Sequence, residues 1–196
     1  MRILFLGDNH AKELADWLEQ QGEKVVYSED KINADRLKQI LPDLIVSYNY
    51  KHIISTEVMR SVNGRAINLH ISYLPYNRGA HPNIWSFLEN TPKGVTIHYI
   101  DEGIDTGDII LQKEVYIDED KETLKSSYEI LHNEIQALFK KNWGKIKNNE
   151  IIPRVQTGES SIHFKREMSK FEQFLSGKGW DISIKEFKKQ FNKPKD

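Results

Sequence analysis

ILFLGDNHAKELADWLEQQGEKVVY, residues Ile3 to Tyr27, sets the fold class. Four apolar residues, Ile3–Leu6, form a run the length of a buried strand and stop at Gly7. From Ala11 to Gln21 the period changes. Leu14, Trp17 and Leu18 recur at helical spacing, which predicts an amphipathic helix closed by Gly22. A second strand follows at Lys24–Tyr27. The alternation continues with a helix over Ala34–Leu41 stopped by Pro42, a strand at Leu44–Ser47, a helix over Thr56–Val62 and a strand at Ala66–Leu69. Strands alternating with helices predict an α/β protein: a Rossmann-like, mostly parallel sheet with helices on both faces. In such a sheet ligands bind outside the carboxyl ends of the strands.

Chemistry collects at one of those ends. Asn68 and His70 lie two apart as the chain leaves the fourth strand, so both side chains face the same way. Asp105 follows a strand predicted over Val95–Ile100 and is bracketed by Gly103 and Gly107, in a loop that can fold back over neighbouring strand ends. An amide donor beside an imidazole can stabilise an oxyanion and accept a proton, and a carboxylate can support the imidazolium and relay the proton. That is equipment for acyl transfer to an amine without a covalent enzyme intermediate. Nucleophilic catalysis is disfavoured: there is no Cys, and no Ser sits in a Gly-x-Ser-x-Gly elbow. An isolated Asn-x-His pair is more often structural, and a lone Asp between glycines more often a turn. The ordered combination carries the reading.

Composition narrows the classes. At 196 residues the chain fits one domain with an appendage, and a net charge of −1 does not mark a nucleic-acid binder. The absence of Cys excludes a disulfide scaffold and a zinc-thiolate site and fits a reducing compartment. The first apolar run is too short for a signal peptide or a membrane span, so a soluble, cytoplasmic protein is expected. Seven histidines invite a metal hypothesis, but none has the spacing of a helical ligand pair; no metal is expected. Leu6-Gly7-Asp8-Asn9-His10 has one glycine, which argues against a dinucleotide fingerprint.

The remaining elements are predicted as a helix over Asn83–Glu89, a strand over Ile109–Val115 and a long helix over Thr123–Lys147 with Leu124, Tyr128, Leu131, Ile135, Leu138 and Phe139 at core spacing. Residues 1–147 then form the catalytic domain and 148–196 an appendage. Within the appendage, Ile151–Val155 and Ile162–Phe164 flank the turn Thr157-Gly158-Glu159, which predicts a hairpin. A helical tail follows, with Lys185, Lys188, Lys189, Lys193 and Lys195 read as a solvated face and a frayed end.

Three motifs, Asn68-x-His70-x-Ser72-x-Leu74-Pro75-x-x-Arg78-Gly79, Gly94-Val95-Thr96-Ile97 and Asp101-Glu102-Gly103-Ile104-Asp105-Thr106-Gly107-Asp108, resemble the folate-dependent formyltransferase family. That family includes enzymes acting on glycinamide ribonucleotide, on methionyl-tRNA and on amino sugars. The resemblance covers about residues 1–147. It implies formyl transfer from N10-formyltetrahydrofolate to an amine through a tetrahedral intermediate, with Asn68, His70 and Asp105 matching the catalytic set. It also implies a pterin pocket lined by Tyr50, His52, Ile54, Ile100, Asp101 and Gly103, with His52 standing where other members carry Arg. Asn9, Arg78 and His81 are the candidate acceptor contacts.

The resemblance also bears on the acceptor. Methionyl-tRNA formyltransferases carry a sizeable C-terminal barrel and a basic surface, whereas about fifty residues follow the long helix here. The glycinamide ribonucleotide branch has a phosphate loop after the first strand and tends toward Asp-Gly-Gly-Pro, where this chain has Asp105-Thr106-Gly107-Asp108. A nucleotide-linked amino sugar, destined in that branch for surface polysaccharide, is therefore the expected small-molecule substrate, with no nucleic-acid or membrane partner. Another amine acceptor, a formyl-folate hydrolase and a non-catalytic binding module are the competing readings. A homodimer through residues 151–164 is implied, packing of that segment on its own domain being the alternative.

Overall fold

The computed structural model describes residues 1–191; Lys193 and Lys195 of the predicted basic tail lie outside them. The first seven elements are β1 (Arg2–Gly7), α1 (Asn9–Gln20), β2 (Lys24–Ser28), α2 (Ala34–Ile40), β3 (Leu44–Tyr48), α3 (Thr56–Ser61) and β4 (Ala66–His70). They fall where the apolar periodicity places them. β5 (Arg78–Gly79), α4 (Pro82–Leu88), β6 (Gly94–Tyr99), β7 (Ile109–Glu114), α5 (Leu124–Lys147) and β8 (Ile162–His163) follow. A 3₁₀ turn at Lys165–Met168, α6 (Ser169–Lys178) and α7 (Ile184–Phe191) complete the order.

Local chemistry starts the first three helices. The side chains of Asp8, Asn33 and Ser55 accept backbone N–H groups from His10, Arg36 and Val58. Each satisfies a donor that the helix leaves unpaired, worth about 1 kcal/mol. β1 pairs in parallel with β2 and β3, and β3 with β4. Strand alternation then sorts the core onto two faces. Leu4 and Leu6 pack with Leu37 and Ile40 of α2, Val58 of α3 and Val62 just after it. The opposite face meets α1, where a methyl added to Gly7 would run into Ala11.

Six strands form one sheet in the order β2-β1-β3-β4-β6-β7. The parallel block ends at β4. Ile100 N–H donates to the Ala66 carbonyl at 2.8 Å, so the end of β6 meets the start of β4. Tyr99 N–H donates to Asp108 O and Val115 N–H to Lys93 O, each at 2.9 Å, so β7 turns back beside β6. The sheet is mixed, with antiparallel strands at one edge.

The chain divides into two compact units. The first is Met1–His70, Ile97–Leu111 and Ile151–Val155; the second is Ile71–Thr96, Gln112–Glu150 and the chain from Gln156 on. In the second, Asn83 of α4 donates to Leu124 O and Ser127 Oγ of α5, both at 3.2 Å, and Thr123 caps α5 through a reciprocal bond with Ser126.

Two expectations for the C-terminal region are overturned. The hairpin over 151–164 does not form. Arg154 exchanges both backbone bonds with Ile109, at 2.8 and 2.9 Å, while β8 runs parallel to β5. Each arm satisfies its backbone on another strand, a better outcome than an isolated two-stranded ribbon, which is marginal in water. The tail is not merely a solvated face. Phe187 and Ile184 of α7 are fully buried, and Phe187 meets Phe171 of α6 edge-to-face at 5.5 Å. Lys188 donates to Glu119 at 2.6 Å and to Asn90 at 2.7 Å. Burial alone would push the Glu119 carboxyl up, but Lys188 and Lys93 outweigh it and hold it below the usual carboxylate range. Among the described residues no helix is long and apolar enough to cross a membrane.

Candidate active site

β4 ends in the side chains that the sequence singles out, and the loop after β6 delivers the third. Asp105 sits at φ 51°, in the left-handed region that Asp tolerates better than most residues. Two contacts hold the loop in place. A methyl on Gly107 would overlap the Tyr99 carbonyl, so only glycine lets the backbone return this close to β6. The Asp101 carboxylate accepts from Gly103 N–H at 3.1 Å and Thr106 Oγ1–H at 2.6 Å, which cinches the turn.

The first unit thereby brings Asn68, His70 and Asp105 together. Asn68 Nδ2 donates to Asp105 Oδ1 at 3.1 Å. His70 Nδ1 stands 3.7 Å from Asp105 Oδ2, beyond hydrogen-bond length but within ion-pair range. His70 is buried and the Asp105 side chain is 14% exposed, so the pair interacts with little water between.

A fourth member, His98, was not singled out by sequence. It is 2% exposed, and its Nε2 lies 3.3 Å from both Asp105 Oδ1 and Asn68 Nδ2. Its Nδ1 lies 2.7 Å from Tyr99 O. A carbonyl only accepts, so Nδ1 carries a proton, and in the neutral ring Nε2 presents its lone pair toward the Asn68 amide. The signal was present in β6. Thr96 and His98 alternate with Val95 and Ile97, yet all four are buried, so both faces of β6 are covered, and a buried imidazole needs partners.

The predicted pterin-pocket residues divide by environment. Tyr50, Ile54 and Ile100 are half-buried and pack against the Leu4–Ala66 core cluster of the first unit, with Val26 and Ile32 beside them. The Tyr50 hydroxyl donates to Asp30 O at 2.6 Å and accepts from Ile32 N–H at 3.1 Å. Burial, opposed by that Ile32 bond, pushes the phenol up and keeps it protonated. His52 stands edge-on to Tyr50, with ring centroids 5.3 Å apart. Asp101 and Gly103 are exposed and engaged in their own turn. Apolar walls with an aromatic ring suit a flat heterocycle such as a pterin.

The candidate acceptor residues fall in both units. Asn9 is exposed at the start of α1. There Tyr27 Oη–H donates to Asp8 O at 2.6 Å, and burial together with the Glu29 and Asp8 carboxylates pushes the phenol up to about 12. Arg78 and His81 belong to the second unit. Arg78 donates through Nε and Nη2 to Gln156 Oε1, at 3.2 and 2.7 Å. His81 adopts φ 55° before α4, and burial, with Lys165 as the lesser cause, lowers its pKa.

Comparison with known proteins follows the same lines. The formyl transferase family model matches residues 7–141. The formyltransferase PseJ from Anoxybacillus kamchatkensis, solved with UDP-4,6-dideoxy-4-formamido-L-AltNAc and tetrahydrofolate, is 43% identical. It superposes with a TM-score of 0.86 over 94% of this chain and 96% of that one. A 4-N formyltransferase from Francisella tularensis is 26% identical, with a TM-score of 0.73 over 87% of this chain and 78% of that one. The methionyl-tRNA formyltransferase of Clostridioides difficile is 40% identical over 115 residues, which is 58% of this chain and 37% of that protein. This chain thus spans well under half the length of that relative. With the family model matched across most of the chain and the Asn68, His70 and Asp105 side chains converging at the strand ends, this chain belongs to the formyl transferase family.

Proposed function

We propose that the chain transfers a formyl group from N10-formyltetrahydrofolate to the amino group of a nucleotide-linked amino sugar. The observation that carries the acceptor is the match to PseJ along nearly the whole of both chains, PseJ having been solved with a UDP-linked formamido sugar and tetrahydrofolate. Methionyl-tRNA is the second reading, favoured by identities of 40% and 39% to two methionyl-tRNA formyltransferases, of which this chain matches 37% and 40% of the length.

In the proposed reaction the folate supplies an activated formyl group, and Tyr50, His52, Ile54, Ile100, Asp101 and Gly103 would hold its pterin. Asn68 has two amide hydrogens. One is directed to Asp105, and the second is available to His98 Nε2 or to a formyl oxygen gathering negative charge. His70 faces Asp105 with Nδ1, so its Nε2 lies on the opposite ring edge, where it can take a proton from the attacking amine. The Asp105 carboxylate then faces the resulting imidazolium, which can return the proton to the folate N10 as the carbon–N10 bond breaks, leaving the formyl carbon on the amine and releasing tetrahydrofolate. In the resting site His98 Nε2 can accept the second amide hydrogen and so fix the plane of the Asn68 amide.

The test is product analysis. Incubation with formyl-folate and dTDP-, UDP- or GDP-linked amino sugars should add one formyl group to the sugar by mass spectrometry. Equal or faster formylation of methionyl-tRNA would replace the acceptor, and formate release without any amine would make the protein a hydrolase.

A further inference from the structure

A carboxamide serves as an oxyanion donor only if its nitrogen end, not its oxygen, faces the reacting group. The two ends have nearly the same shape, so the partners decide the orientation. Asn68 Nδ2 has two, both in the first unit: Asp105 Oδ1 at 3.1 Å and His98 Nε2 at 3.3 Å. An ionised carboxylate only accepts. An imidazole nitrogen accepts or donates according to where the ring carries its proton.

The backbone settles that proton. His98 Nδ1 stands 2.7 Å from the Tyr99 carbonyl, which accepts and so keeps the proton on Nδ1. The close return of Gly107 in turn confines that carbonyl. A neutral ring of this tautomer offers only a lone pair at Nε2, and Asn68 then sits between two acceptors. A reversed amide would set its oxygen against both. Charging His98 changes the balance. Nε2–H becomes a donor, the Asn68 oxygen gains a partner, and the reversed amide is no longer penalised on that side. The charged ring would also hold Asp105 Oδ1 at 3.3 Å, on the carboxylate that His70 needs when it accepts a proton. The titratable groups facing His98 are this Asp105 and His70, whose ring lies edge-on with centroids 6.2 Å apart. His98 is 2% exposed, so water offers neither group a substitute partner.

We propose that His98 is a positioning residue for the transfer. As a neutral ring protonated on Nδ1 it dictates which end of the Asn68 amide faces Asp105 and the reacting group. On charging it releases that orientation and occupies the carboxylate. His98 thus acts through Asn68 and Asp105 and does not touch the substrate. The role of Asn68 rests on the formyl-transfer reading above; the His98 tautomer does not. The alternative is a buried imidazole that only fills the space beside β4.

Two measurements on the full chain decide it. Long-range proton–nitrogen NMR spectra of the histidine rings read tautomer and charge without any substrate. His98, assigned by the signals lost in His98→Gln, should be neutral with its proton on Nδ1 where the protein is most active. A proton on Nε2, or a charged ring at that pH, would overturn the proposal. Kinetics supply the second measurement. His98→Leu removes the acceptor and should lower kcat about tenfold or more, with the KM for formyl-folate changed less than about twofold. Glutamine keeps an acceptor within reach of Asn68 but cannot charge. His98→Gln should therefore recover most of kcat. The acid limb of kcat/KM should approach a slope of about two protons in the unsubstituted protein and about one in His98→Gln. A space-filling role predicts that leucine serves as well as glutamine and that the slope stays the same; either result would overturn the proposal. Formylation of a different amine would change the acceptor and leave His98 its role. The expected tautomer without turnover on any acceptor would remove the formyl-transfer reading and leave the hydrogen bond.

Discussion

The direction of two hydrogens decides what losing Asn68 should cost. Its amide bridges a carboxylate and an imidazole, so Asn68→Ala deletes the proposed oxyanion donor and leaves Asp105 and His98 without that partner. Loss of one such donor typically lowers the rate about 10²–10³-fold. We expect kcat to fall by that factor with KM little changed, the pattern of an interaction made in the transition state. Steady-state kinetics on purified Asn68→Ala would check it, and near-normal kcat would remove Asn68 from the mechanism. At this scale the sequence was informative where residue types were unusual for their place. Asn68 and His70 stood at a strand end, and Asp105 stood between glycines. His98 escaped notice because a polar residue within a strand reads as the solvent-facing half of an alternation. Its burial depends on cover over both faces of β6, where Val95, Thr96, Ile97 and His98 are all buried, and the local alternation does not display that cover.

Two glycines show how elements hold the site. Gly107 lies two residues past Asp105, with its open side against the Tyr99 backbone. Gly107→Ala forces backbone atoms apart, an overpacking cost of about 1–3 kcal/mol. It also shifts the loop that carries the carboxylate, so both melting temperature and kcat should drop. Gly144 is exposed within α5, and an added methyl meets nothing within 4 Å. Gly144→Ala should therefore stabilise the protein by about 0.5–1 kcal/mol and leave kcat unchanged. Chemical denaturation and kinetics on the pair separate loop geometry from general stability. Elements with local causes were legible: Gly22, Pro42 and the apolar periods placed the first seven to within about two residues at each end. The predicted hairpin failed because strand partners are chosen across the chain, and Ile109 and Arg78-Gly79 outcompete the adjacent arm.

Across the molecule, the second unit depends on its last helices. Phe187 is fully buried among Phe171, Phe174 and Phe191, with ring centroids 4.9 to 6.3 Å away. Phe187→Ala should cost about 3–5 kcal/mol, a fall in melting temperature of roughly 6–20 °C for a chain of this size. Scanning calorimetry would check it; a frayed tail would show no change. Charge and apolar counts could not reveal this, since Lys185 and Lys189 are exposed on the same helix that buries Ile184 and Phe187. The parallel ribbon of β5 and β8 has a consequence in time. Asn77 N–H bonds to Ser161 Oγ, 84 residues downstream, and the neighbouring Arg78 and Ala80 amides bond to the Ser161 and His163 carbonyls. At about 5–20 residues per second, translation takes roughly 4–17 s to supply those partners. A nascent chain already holding Asn68, His70 and Asp105 thus waits on the ribosome with an unpaired β edge at Arg78–Gly79, and the time that edge stays open is set by the pace of synthesis.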